Sequence, residues 1–255
     1  MLFGICTKLE NVDRMAEVGY DYIELGVQSA LMPEADETDF QIIRNQVAKA
    51  PLKPEAYAGF IPRNLRVVGD NVDFPRLARY VETACRRSSE IGGKIIVYGS
   101  SGSRNTEDGY SEERALDQIA EFLNMAADHA EKYGITIVVE PICLKEGNII
   151  RTVSDGIAMA NRVNRKGIKA LADLYHMWQE SEPMQNIIDA GPWLAHIHIA
   201  EPVKRSYPGN DDFDFSDFFS ALKDANYNGR ISCECKFDDF QSNIATALST
   251  MKKYL

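Results

Sequence analysis

The sequence predicts one closed (β/α)8 barrel spanning residues 1–255, and three observations carry that reading. The chain has 255 residues, the length that eight strand-helix units and one large core require. Eight short β-rich runs alternate with helical stretches, and no Pro/Ser/Gly linker, charge block or low-complexity tract divides them. The glycines form no phosphate loop of the kind an open doubly wound sheet carries, and such sheets usually have fewer strands.

The strands are expected, in order, at residues 2–6, 20–24, 53–57, 94–98, 135–140, 168–173, 194–199 and 230–235. The first is broken at once by Lys8 and Glu10, leaving a run too short for a signal peptide. Between the third and fourth strands, Phe74, Leu77, Val81, Ala84, Ser88 and Ile91 recur three and four apart until Gly92 and Gly93 stop the helix. Between the fourth and fifth, Ser111 caps a helix with Glu112 and Glu113 in its first turn. Leu116, Ile119, Leu123, Ala126 and Ala130 form its apolar face, His129 lies on its outer side, and Gly134 ends it. The fifth strand ends in Glu140-Pro141, where proline ends the ladder. The sixth ends in Asp173, the seventh contains His196-Ile197-His198, and the eighth reads Ile231-Ser-Cys-Glu234.

Composition narrows the function. A formal charge of −10 disfavours duplex DNA and anionic membranes as partners, because binding would start from repulsion. No stretch approaches a membrane span, so a soluble cytoplasmic protein is expected. The five cysteines, Cys6, Cys85, Cys143, Cys233 and Cys235, have neither a framework spacing nor a CxxC pair, which fits reduced thiols.

Functional residues of a parallel barrel gather where strands end at the C-terminal face, so the polar residue closing each run is the informative one. Glu140, Asp173, His198 and Glu234 are the candidate ligands of one divalent metal. His198 is preferred over His196 because strand side chains alternate and it lies about 6 to 7 Å nearer the mouth on the same face. His196 is expected as a hydrogen-bonded histidine of the barrel interior. Three carboxylates and one imidazole suit Mn²⁺ or Mg²⁺, with Co²⁺ possible, whereas a structural zinc site would prefer thiolates. Cys233 and Cys235 flank Glu234 and should point to the helix layer. Tyr57, Phe60, Tyr98 and Trp178, near strand ends, are candidates to stack on a ligand or to pack the rim.

These motifs resemble the xylose-isomerase-like barrel superfamily of sugar isomerases and epimerases, and within it the D-tagatose 3-epimerase type of ketose 3-epimerase. Glu140-Pro141 with Glu146 six residues on is similar to the family's metal ligand followed by a substrate-contacting glutamate. Asp173-Leu-Tyr-His176-Met177 resembles its D-x-x-H-M stretch, in which the aspartate binds metal and the histidine touches substrate. His196-Ile-His198, followed by Glu201, Arg205 and Pro208-Gly209, resembles its H-x-H segment with a downstream arginine, and Glu234 matches the ligand on the last strand. The first half of the chain adds general similarity, such as Glu24 and the Gly99-Ser-Ser-Gly-Ser-Arg104 loop. Arg205 stands one residue beyond the family's position, which Lys204 occupies, so either could meet substrate. The loop after Glu140 reads Ile-Cys-Leu-Lys where an epimerase would usually show an asparagine and an arginine.

The resemblance implies a metal-dependent ketose 3-epimerase acting through an enediolate, with Mn²⁺ the leading cofactor. Glu140 and Glu234 would be the base and acid on opposite faces of the sugar. Glu146, His176 and Arg205 would bind its hydroxyls, and a homo-oligomer, dimer or tetramer, is the expected assembly. An aldose-ketose isomerase or an inosose-type dehydratase could use the same ligands. A non-catalytic sugar- or metal-binding module is the reading from another class, against which stands the pair of opposed carboxylates. An abasic-site endonuclease would need more than the four histidines present. Lys204, Arg205 and Arg104 are candidates for a substrate phosphate.

Overall fold

The computed structural model describes residues 1–255. Eight parallel strands pair in sequence order and the last returns to the first, closing the barrel. They are β1 (Leu2–Cys6), β2 (Tyr22–Gly26), β3 (Pro54–Ala58), β4 (Ile95–Tyr98), β5 (Thr136–Val139), β6 (Ile168–Asp173), β7 (Leu194–Ile199) and β8 (Arg230–Cys233). The helices between and after them are α1 (Val12–Val18), α2 (Glu37–Lys49), α3 (Phe74–Glu90), α4 (Ser101–Arg104), α5 (Glu112–Tyr133), α6 (Val153–Val163), α7 (Leu174–Gln179), α8 (Gln185–Ala190), α9 (Ser216–Asp224) and α10 (Phe240–Lys252).

The two helices read from periodicity form as expected. Asp73 caps α3, accepting from the Arg76 amide, and Leu77, Val81, Ala84 and Ser88 are buried along one face. Ser111 caps α5 by accepting from the Arg114 amide, and Gly134 closes it in the left-handed region at φ 68°.

The largest shift from expectation is in β2, which starts two residues late. Gly19, at φ 95°, ends α1, and Tyr20 turns under the helix layer to donate its hydroxyl to the Ile244 carbonyl. Asp21 spends its carboxylate on the Phe3 amide, 2.7 Å away. Both residues therefore belong to the turn. Strands β5 and β8 end one and two residues short of expectation, at Val139 and Cys233. Their backbones nonetheless hold to the neighbouring strands: the Glu140 amide donates to the Tyr98 carbonyl, and the Glu234 amide to that of Ile199, each at 3.2 Å.

Alternation along the strands sorts two cores. Outward residues join the helices in the main core, while Tyr22, Ala56, Ile95, Val97, Val138 and Leu171 pack together inside the barrel. The Tyr22 ring lies where a Cβ on Gly4 would come within 2.5 Å, so β1 needs glycine there. Its hydroxyl meets Ser232 Oγ at 2.7 Å, filling the space that larger side chains would otherwise close. Above this plug the inward positions turn polar.

The same alternation decides between the two readings of the aromatic candidates in favour of packing for three of them. Tyr57, Phe60 and Tyr98 are fully buried. Tyr98 follows inward Val97 and so faces the helices, 5.1 Å from the Phe122 ring and 6.3 Å from Phe60. Of the four aromatic candidates only Trp178 is exposed, lying edge-on to Phe213 at 5.3 Å.

Candidate metal centre

Two features of the β4 end place Glu140. Gly99 lies against it, and any Cβ there would overlap Glu140 Oε2. Arg104, at the end of α4, is completely buried and donates to the carbonyls of Tyr98, at 2.8 Å, and Glu140, at 2.6 Å. Its guanidinium also lies over the Tyr98 ring, 5.2 Å from the centroid. Arg104 is thus a backbone clamp tying β4 to β5, and it is shut off from any phosphate. Lys204 is also elsewhere: it pairs with Asp211 at 2.8 Å, and its side chain is 68% exposed.

Glu140, Asp173, His198 and Glu234 each offer one ligand atom, and all four lie within 4.8 Å of one another. His198 Nδ1 is 3.0 Å from Glu140 Oε1 and 3.6 Å from Glu234 Oε2. Asp173 caps α7, its Oδ1 accepting from the Tyr175 amide at 2.8 Å. Its other oxygen, Oδ2, is buried without a hydrogen-bond partner. A buried orphan acceptor facing two further carboxylates and an imidazole nitrogen is a donor set that fits a hard divalent cation.

Charge is concentrated here. Burial would raise the Glu140 carboxyl, but the hydrogen bond and charge of His198 outweigh it and hold it below the usual range. Glu234, a quarter exposed, goes the other way. Loss of solvation at the crowded mouth, reinforced by the Glu140 charge against the pull of His198, pushes it up to about 7. Burial opposes a charged His198, yet Glu24 and Glu234 hold its imidazole well above its ordinary value.

Around this set stand the residues expected to meet substrate. The Arg205 guanidinium is bonded to the Glu234 carboxylate, lies 3.3 Å from Glu146 Oε1 and 3.6 Å from Asp173 Oδ2, and covers the Tyr175 ring at 4.5 Å. Between the two cations left open by the sequence, the structure brings Arg205 to the mouth. His176 is buried, its Nδ1 accepting from the Cys143 amide at 3.3 Å and its Nε2 3.6 Å from Asp173 Oδ2. Glu201 is buried but serves the loop after β7, accepting from the amides of Gly209 and Asp211 at 2.7 and 2.6 Å. His196 is wholly buried, its Nε2 2.8 Å from Glu24. Cys233 turns to the helix layer, its sulfur 3.7 Å from Met251 in α10.

The residue undervalued by the sequence reading is Glu24. It is fully buried and bridges both histidines of β7, whose charges hold its carboxyl well below the usual range against the effect of burial. The signal was the one used for the other acids, a carboxylate closing a strand on the inward face.

Comparison with known proteins gives the family of the chain. The family model described as xylose isomerase-like TIM barrel matches residues 12–254. An L-ribulose 3-epimerase of Methylomonas sp. (strain DH-1) is 31% identical over 231 residues, covering 90% of this chain and 77% of that protein. A ketose 3-epimerase of Arthrobacter globiformis is 26% identical, covering 94% and 81%. The crystal structure of an E. coli 3-keto-D-glucoside 4-epimerase superposes with a TM-score of 0.84 at 21% identity and covers 99% of each chain, a likeness of fold. With residues 12–254 of its 255 matched by the family model, the chain belongs to the xylose isomerase-like TIM barrel family.

Proposed function

We propose that this chain is a divalent-metal-dependent sugar epimerase of the isomerase class, inverting C3 of a ketose, with Mn²⁺ as the ion to test first. The observation that carries the reading is the convergence of two carboxylates, Glu140 just beyond β5 and Glu234 just beyond β8, on His198 Nδ1, at 3.0 and 3.6 Å. The 3-epimerase relatives support the same reaction. When bound, a divalent ion supplies the positive charge that acidifies the carbon beside a carbonyl and stabilises the enediolate. Glu140, Asp173, His198 and Glu234 would hold that ion, Asp173 and His198 having no other task in the reaction. Glu140 and Glu234 then have opposite tasks: one takes the C3 proton and the other returns a proton to the opposite face. Glu146, His176 and Arg205 bind sugar hydroxyls and fix which carbon lies between the two acids. No helix is long and apolar enough to cross a membrane. Exposed Leu144 and Val203, on the loops after β5 and β7, and Trp178, in α7, support a homo-oligomer that covers them.

The test is NMR of the Mn²⁺-loaded protein with free ketoses in D₂O, beside Glu140→Gln and Glu234→Gln. Deuterium should enter C3 together with a new epimer, and each variant should lose 10²- to 10⁴-fold in rate, the usual contribution of a positioned acid or base. Label at C1 would instead establish aldose-ketose isomerisation. Absence of exchange in every ketose would sink the epimerase reading in favour of a dehydratase or a binding module.

A further inference from the structure

Below the four ligands an acid and a second imidazole lie inside the barrel with no part in the chemistry proposed above. The two oxygens of Glu24 go to different rings: Oε1 stands 3.0 Å from His198 Nε2, and Oε2 stands 2.8 Å from His196 Nε2. All three side chains are fully buried, so no water competes for these bonds. An ionised carboxylate only accepts, so both ring nitrogens donate to it. The two rings also meet edge to face, 5.1 Å apart at 78°, which limits rotation of either. A histidine that ligates a metal must be neutral, with one nitrogen protonated and the other bare. Glu24 decides which is which: with the proton kept on Nε2, the bare nitrogen is Nδ1, the one facing Glu140 and Glu234.

We infer that Glu24 is a positioning residue that presents His198 Nδ1 to the metal by accepting the Nε2 proton of the same ring. The inference rests on the metal-site reading proposed above. Histidine ligands lose 10- to 100-fold in metal affinity when their outer partner is removed, because orientation and basicity both relax. His196 has a supporting part: it occupies the second Glu24 oxygen and keeps the carboxylate from turning away.

The experiment is calorimetric titration of the purified full chain with Mn²⁺, comparing wild type, Asp173→Asn and Glu24→Gln, with thermal melts to establish folding. Alongside it, ¹⁵N-histidine NMR of the Mg²⁺-saturated wild type reads the tautomer directly. Wild type should bind one ion, Asp173→Asn should lose it, and folded Glu24→Gln should bind 10- to 100-fold more weakly. In the wild type His198 should carry a slowly exchanging proton on Nε2 and none on Nδ1. Equal affinity in folded Glu24→Gln, or a proton on Nδ1 of the Mg²⁺ form, overturns the inference while leaving the metal site standing. Failure of wild type to bind any ion overturns both. If Glu24→Gln does not fold, the tautomer in the wild type decides alone.

Discussion

Of the four proposed ligands, Glu234 is the one whose protonation is most open to change. Its carboxyl, pushed up to about 7 by lost solvation and by Glu140, holds a proton in the ion-free protein below that pH, whereas a ligand must be ionised. Binding therefore releases a proton, and Mn²⁺ affinity should fall about tenfold or more per pH unit as the pH drops below about 7. Glu140, held low, stays ionised throughout and adds nothing to that slope. His198, held charged by Glu24 and Glu234, gives up a second proton and steepens it. Calorimetry between pH 5.5 and 8.5 checks this, and a flat profile would refute it. At this scale the clustering of the four candidate ligands was legible because each is the polar residue that ends an inward-facing run. Glu24 was legible by the same rule, but its importance depends on partners 172 and 174 residues away, which no local pattern shows. Arg104 reads as a surface cation in a Ser/Gly loop, and only the closed barrel reveals that two carbonyls and the Tyr98 face surround it.

At the level of elements, the site depends on how β4 and β5 end side by side. Gly99 gives Glu140 its room, so Gly99→Ala should displace that carboxylate and lower both Mn²⁺ affinity and turnover by at least about tenfold, since a 1 Å misplacement of a reacting group can cost more than that. Its melting temperature should fall by only a few degrees, because the clash is with one side chain at the rim. A variant with wild-type kinetics would show that Glu140 has space to move. Sequence periodicity located all eight strands, yet β2 began two residues late because Tyr20 and Asp21 serve the turn, one under α10 and one on the Phe3 amide. Their types, aromatic and β-favouring at Tyr20, could not separate a strand start from a buried turn. The aromatic residues Tyr57 and Tyr98 were placed in strands correctly. Their direction required knowing that Ala56 and Val97 face inward.

For the molecule as a whole, a chain of net charge −10 gathers Glu24, Glu140, Asp173 and Glu234 at one end of its barrel, with Glu146 beside them. An ion bound there relieves repulsion in the folded state alone. At 100 times its dissociation constant it adds about 2.7 kcal/mol, which for a domain of this size raises the melting temperature by about 5 °C or more. Scanning calorimetry with Mn²⁺ and then with excess chelator should show that rise and its reversal; equal melting temperatures would argue against specific binding. Family and barrel could both be read from the order of strand-ending residues, and the same order brought the candidate ligands together, because this architecture gives each strand end the same job. The loop after Glu140 could not be read in that way, since its residues are set by what enters the mouth. Tyr22 and Ser232, joined across the lower barrel, put a solid floor of packed side chains beneath the site. If the proposed function holds, a sugar inverted above that floor would leave by the route it came, past the same Arg205 and Glu146, and product and incoming substrate would exclude one another at that threshold.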